Sequence, residues 1–140
     1  MFNKYDKYKV VSNNKIFEGQ IDCLELVPEG PLSVFEKVRD YIHQGWVLLN
    51  HPLYGNFTPT QQPFRTILLG FKSSSGNNFR EVDLQSLELI EKSILKFRGG
   101  LPNGISRVPL HYSLERDYSE MDLYLISVNL ERYGIKHNLL

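Results

Sequence analysis

Apolar residues along the chain form short extended runs that alternate with stripes at helical spacing. The extended runs predict strands at Tyr8–Ser12, Ile21–Val27, Trp46–Leu49 and Phe64–Phe71. Helical stripes follow Ser33, follow Asp83, and run from Ser119 to Tyr133. This alternation is typical of one α/β domain. We therefore predict a single domain over residues 1–140, with a small, mostly parallel four-stranded sheet flanked by helices.

The predicted helices carry recognisable boundary signals. Ser33 and Glu36 stand in capping-box register at the start of the first helix, and Gly45 follows its end. Asp83 is the predicted N-cap of the second helix. Because the first helix joins two predicted strands with almost no linker, we expect this unit to be a parallel, right-handed crossover.

Polar residues follow the ends of two predicted strands. The apolar run from Trp46 stops abruptly at Asn50 and His51, and Asn13 and Asn14 follow the first strand. Open α/β sheets bind ligands outside the carboxyl ends of their strands, although such residues also serve ordinary turns. If the first and third strands are parallel neighbours, amide groups and one imidazole meet in a single crevice.

Each of the other candidate residues has two interpretations. His51 has an ordinary pKa of about 6.5, which suits a general acid or base, but no nucleophile or orienting carboxylate accompanies it in the sequence. A bond from its ring to a backbone carbonyl, stiffening the turn, is the favoured role. Gly55 and Asn56 would offer backbone N–H groups to an anion, or form a tight turn. Arg65 would clamp a ligand carboxylate, or be a solvated charge at the sheet edge, which is favoured.

Composition narrows the function classes. The 16 basic and 16 acidic residues leave no excess positive charge to hold nucleic acid or an anionic membrane. Cys23 is the single cysteine, and the four histidines lack metal-binding spacing, so we expect no metal and no cofactor. No run approaches the roughly 18 apolar residues of a membrane span, and the charged start lacks a secretion signal. We expect a cytoplasmic protein.

Several motifs together resemble the GrdX family. They are Asn13-Asn14 after the first strand, Val38–Gly45, Leu48–Asn56, Pro63–Thr66 and Ser86–Glu91. The family is named for its place in the gene clusters of glycine, sarcosine and betaine reductases. The match spans most of the chain, with departures at polar positions: Lys15 stands where proline is usual, and Thr58 and Arg65 stand where lysine is usual.

The resemblance implies an association with amino-acid reduction and transfers no catalytic residue. Our preferred hypothesis is an accessory or small-ligand-binding protein without enzymatic activity. Its candidate partners are a small carboxylate, with glycine, sarcosine and betaine first, and components of the reductase. The alternatives are an enzyme acting on a small carboxylate with His51 as general acid or base, and a non-catalytic protein-interaction module. The candidate ligand-binding residues are Asn13, Asn14, Asn50, His51, Gly55, Asn56 and Arg65.

Overall fold

The computed structural model describes residues 5–55, 62–73, 81–100 and 112–139, without the side chains of residues 112 and 113. Within these residues one sheet contains the strands β1 (Lys7–Ser12), β2 (Leu24–Leu26), β3 (Val47–Leu48) and β4 (Thr66–Phe71). The helices are α1 (Pro31–His43), α2 (Leu84–Gly99) and α3 (Tyr112–Tyr133), and a short 3-10 helix covers Lys15–Phe17. The predicted α/β class and the four strands are confirmed.

The sheet is mixed, so the prediction of a mostly parallel sheet is wrong. Its strand order is β2-β1-β4-β3. Among the described strands β1 and β2 pair in parallel, whereas β4 is antiparallel to both β1 and β3. The prediction rested on unbroken apolar runs, which indicate burial on both faces of a strand. Helices cover both faces of this sheet, so its central strands are buried on both sides. The apolar pattern of such a strand is the same whether its neighbours are parallel or antiparallel.

The predicted crossover joins two strands that run in the same direction, as expected, although they are not adjacent. Its right-handedness stays a prediction. The helix α1 connects β2 with β3, but these two strands lie at opposite edges of the sheet and are not neighbours. Since β4 is antiparallel to both of its partners, β1, β2 and β3 all point the same way. The carboxyl ends of β1 and β3 therefore lie at the end of the sheet where β4 begins.

Local signals placed some helix boundaries correctly. Asp83 caps α2 as predicted, because its side chain accepts from the N–H of Ser86 over 3.1 Å. The predicted capping box of α1 is wrong. This helix begins at Pro31 after Gly30, and Gly30 provides no side-chain cap. Proline suits a first turn because its φ is already helical and it has no N–H to leave unsatisfied.

Two hydrophobic layers cover the two faces of the sheet. On one face, α1 and α2 pack over Val11, Ile67 and Leu69. On the other face, α3 packs over Val10 and Leu68. This division follows from the alternation of side chains along a strand. None of the helices described by the structure has the length and apolar character of a membrane span.

Candidate functional site

A buried set of polar side chains lies where β1 ends and β4 begins. Asp122 reaches this point from α3 and accepts hydrogen bonds from Thr66 Oγ1 over 2.7 Å and from Asn14 Nδ2 over 3.1 Å. The hydroxyl of Tyr54 donates to the other oxygen of Asp122. Ser12 Oγ lies 2.7 Å from Thr66 Oγ1, within the sheet. We call Ser12, Asn14, Tyr54, Thr66 and Asp122 the Asp122 cluster.

Burial sets the ionisation of this cluster. It raises the pKa of Asp122 to about 6, although the bonds from Tyr54, Thr66 and Asn14 and the charge of Arg65 oppose the shift. Burial, with the nearby carboxylate of Asp122, holds the pKa of Tyr54 well above its usual value of 10.0. At neutral pH Asp122 is therefore a buried anion, and Tyr54 is a neutral hydrogen-bond donor.

Arg65 lies directly beside the cluster and is buried, with 1% of its surface exposed. Its Nη1 donates to the carbonyl of Tyr54 over 3.1 Å, and its guanidinium lies 5.3 Å from the centre of the Tyr54 ring. The favoured interpretation of a solvated edge charge is therefore wrong. The reason is the strand order: Arg65 precedes β4, which is a central strand with a neighbour on each side.

The amides of Asn13 and Asn50 lie at the same end of the sheet, as predicted. Asn13 Oδ1 accepts from the N–H of Arg65 over 2.8 Å, and Asn50 Nδ2 donates to the carbonyl of Thr66 over 3.0 Å. Each amide also bonds a second backbone group in or beside the start of β4. The expectation that their two strands are neighbours is wrong, because β4 separates them. Both amides hold the start of β4 in place.

Asn14 connects the cluster to Ser119, in the N-terminal half of α3. Its Nδ2 also donates to the carbonyl of Ser119 over 3.0 Å, and its Oδ1 accepts from the hydroxyl of Ser119 over 2.7 Å. The same oxygen caps the short 3-10 helix by accepting from the N–H of Ile16. Asn14 therefore joins β1, the 3-10 helix and α3.

His51 lies at the surface of the turn that follows β3. Its Nδ1 accepts from the N–H of Leu53 over 3.0 Å, so the ring stiffens the turn as expected, but through an N–H and not a carbonyl. Partial burial lowers the pKa of His51, and the positive charges of Lys96 and Arg65 lower it further. The imidazole is neutral at pH 7. Gly55 ends the described part of this turn with φ +89°, and Asn56 lies outside the described residues.

Sequence reasoning missed the central residue, Asp122. The spacing of the helix could have indicated it, because Asp122, Ile126 and Leu130 recur at intervals of four residues and are all buried. A carboxylate at a core position of a helix needs hydrogen-bond partners, which makes it a candidate for a site. Tyr54 and Thr66 had no comparable signal, because tyrosine and threonine are ordinary residues in turns and strands.

The described residues contain one free thiol and no cluster of metal-binding side chains. No three histidine, cysteine, aspartate or glutamate side chains converge there as a metal site would require. Cys23 is a half-buried free thiol just before β2, and burial raises its pKa, so it is a poor nucleophile.

Comparison with known proteins identifies a family. A family model described as GrdX-like protein matches residues 9–131. Comparisons with curated proteins and with solved structures returned no match. The matched span includes the whole Asp122 cluster and Arg65.

Proposed function

The chain belongs to the GrdX-like family, whose name ties it to glycine reductase gene clusters, and on that premise we propose that it is a non-enzymatic accessory protein. Its role is to bind a small carboxylate at the end of the sheet, beside Arg65 and the turn that contains His51. Glycine, sarcosine and betaine are the first candidate ligands, and components of the reductase are the candidate protein partners.

The observation that carries this proposal is the positive charge around the turn after β3. The Arg65 guanidinium and the Lys96 ammonium both act on His51, where they add to the effect of burial in lowering its pKa. A carboxylate at this turn would be attracted by exposed Lys96 and by the part of the Arg65 charge that Asp122 does not offset. Of the two, Arg65 has the planar geometry that binds a carboxylate through two parallel hydrogen bonds, but it is 1% exposed and its Nη1 already donates to the carbonyl of Tyr54. Binding to this guanidinium therefore requires the turn after β3 to move and admit the ligand.

The contacts of the polar residues favour binding over catalysis. Asn13 and Asn50 bond the protein's own backbone, so their role is to shape the site. A catalytic imidazole is usually oriented by a carboxylate or a carbonyl at one ring nitrogen. The Nδ1 of His51 instead accepts from a backbone N–H. This contact favours the accessory role over a general acid or base.

Binding beside Arg65 should also affect Asp122. The charge of Arg65 lowers the pKa of Asp122 against the effect of burial. A ligand carboxylate close to both groups would offset part of this lowering by Arg65, so the pKa of Asp122 would rise above about 6. We therefore expect binding to take up part of a proton near pH 6 and almost none at pH 8.

Calorimetric titration with glycine, sarcosine and betaine tests the proposal. The titrations are made at pH 6 and pH 8, in buffers of different ionisation enthalpy, so that proton uptake is measured with affinity. Arg65→Lys keeps the charge but loses the planar fork, and should weaken binding about tenfold. Arg39→Lys is the matched control and should leave binding unchanged, because Arg39 forms surface ion pairs with Glu36 of α1 and Glu91 of α2.

Three results would contradict the proposal. One is the absence of heat with all three compounds. Another is equal affinity of the wild type and Arg65→Lys, once thermal unfolding shows that the variant is folded. The third is conversion of any of these compounds by the purified chain, which would favour the enzymatic alternative with His51.

A further inference from the structure

The helix α3 carries apolar side chains on the face turned away from the sheet. Met121, Tyr124 and Val128 are 43%, 73% and 59% exposed, and half-buried Leu125 borders them. Their spacing of three and four residues is the spacing of a helix-pairing seam. Isolated exposed apolar residues are common on protein surfaces, but an aligned row of them indicates a binding surface. We call Met121, Tyr124, Leu125 and Val128 the α3 stripe.

Opposite charges lie at the two ends of the α3 stripe. Asp117 is four residues before Met121, and Arg132 is four residues after Val128, so both continue the same face of the helix. Both side chains are exposed, and neither forms an ion pair within the described part of the chain.

In contrast, the charged side chains next to Asp117 and Arg132 have partners within the chain. Arg116 pairs with Glu120 over 3.2 Å, and Glu131 lies 2.9 Å from His137. The charges at the ends of the α3 stripe are therefore available to a partner, whereas those beside it are engaged within the chain.

We propose that the α3 stripe binds the same stripe of a second copy of this chain, with the two helices antiparallel about a two-fold axis. An axis between Tyr124 and Leu125 places Met121 opposite Val128 of the second copy. The same axis places Asp117 of each copy opposite Arg132 of the other, so the interface is self-complementary. A parallel arrangement would place like charges together, so the charge pattern selects the antiparallel one.

The size of this contact sets the strength to expect. Residues 117–132 span about 24 Å of helix, and one helix pair of this length is a small interface. Dimerisation should therefore depend on concentration in the micromolar range. The interface lies on the outer side of α3, whereas Asp122 lies on its buried side, so this inference does not depend on the proposed carboxylate site.

Sedimentation velocity of the full chain from about 5 to 500 µM tests the proposal. We expect a reversible dimer. Asp117→Arg turns two attractions per dimer into two repulsions, and should weaken the dimer about tenfold. Arg132→Asp should do the same. The double variant Asp117→Arg/Arg132→Asp restores opposite charges, and its dissociation constant should return to within about threefold of the wild type.

A matched control separates the α3 stripe from general surface stickiness. Leu95 on α2 is 68% exposed, and Leu95→Glu should leave dimerisation unchanged. Thermal unfolding of every variant shows whether it is folded. A chain that stays monomeric at all concentrations overturns the proposal and leaves the stripe to a different partner. The proposal is also overturned if neither charge reversal raises the dissociation constant of the dimer. The same holds if the double variant fails to restore the wild-type value.

Disulfide trapping tests the register independently. In a Cys23→Ser background, Tyr124→Cys lies next to the proposed axis and should crosslink with its own copy under mild oxidation. Leu114→Cys is the control, because the two copies of this position would be about 30 Å apart along the helices. Crosslinking of Leu114→Cys without crosslinking of Tyr124→Cys would overturn the antiparallel register.

Discussion

Raising the pH from 4 to 7 should weaken the fold through Asp122. Burial raises the pKa of this carboxyl from 3.8 to about 6. Between these values the folded chain holds a proton that the unfolded chain has released. The stability that Asp122 contributes is therefore full below pH 4, falls as the pH rises, and is lost above about pH 6. A shift of about two pKa units corresponds to about 3 kcal/mol.

Asp122→Asn isolates this effect, because the amide does not titrate. An amide has one acceptor oxygen, so the variant cannot accept from Tyr54, Thr66 and Asn14 together, and should be less stable than the wild type at pH 4. The stability of the wild type relative to the variant should then fall by up to about 3 kcal/mol between pH 4 and pH 7. Effects of other titrating groups cancel in the difference.

Urea unfolding at pH 4, 5, 6 and 7 measures this difference. The fluorescence of Trp46, the single tryptophan, reports unfolding because its ring packs 5.2 Å from that of Phe71. A difference that stays constant with pH would show that Asp122 does not titrate in this range. A difference that grows with pH would show that the hydrogen bonds and Arg65 outweigh burial, and would contradict the prediction for Asp122.

Three further substitutions test the turn after β3 and the packing at two glycines. His51→Ala should cost less than about 1 kcal/mol in thermal or urea unfolding, because the bond to the N–H of Leu53 is exposed; a loss of 2 kcal/mol or more would indicate a buried structural role. Gly70→Ala should destabilise the fold by about 1–3 kcal/mol, since the new methyl carbon would lie 2.7 Å from the ring of Tyr5, whereas Gly99→Ala meets no atom within 4 Å and should be neutral or slightly stabilising. Equal stability of the two glycine variants would contradict the close contact with Tyr5.

Local signals predicted the elements of this fold better than their arrangement. The cap at Asp83 and the end of the last helix at Tyr133 depend on a few adjacent residues, and both are present in the structure. The pairing of β4 with β1 and β3 depends on residues far apart in the sequence. An unbroken apolar strand contains no sign of the direction of its neighbours, so the mixed sheet could not be predicted from it.

In the site, too, the features set by adjacent residues were predictable, and those set by residues far apart in the sequence were not. Asn13 and Asn50 follow strand ends, and this position was enough to place them at the same end of the sheet. Asp122 contacts Asn14 across 108 residues of sequence, and no short motif contains both. The burial of Arg65 likewise results from the central place of β4, so its sequence neighbours could not reveal it.

The location of carboxylate binding is the most direct test of the proposed function. We would titrate isotope-labelled protein with glycine at pH 6 and follow the backbone amide resonances. The proposal predicts shifts confined to residues 13–14, 50–55 and 63–66 and to the surroundings of Lys96 and Asp122, whose charges it invokes. The response to glycinamide, which lacks the carboxylate, should be much weaker. Shifts of equal size with glycinamide, shifts elsewhere on the chain, or no shifts at millimolar ligand would contradict it.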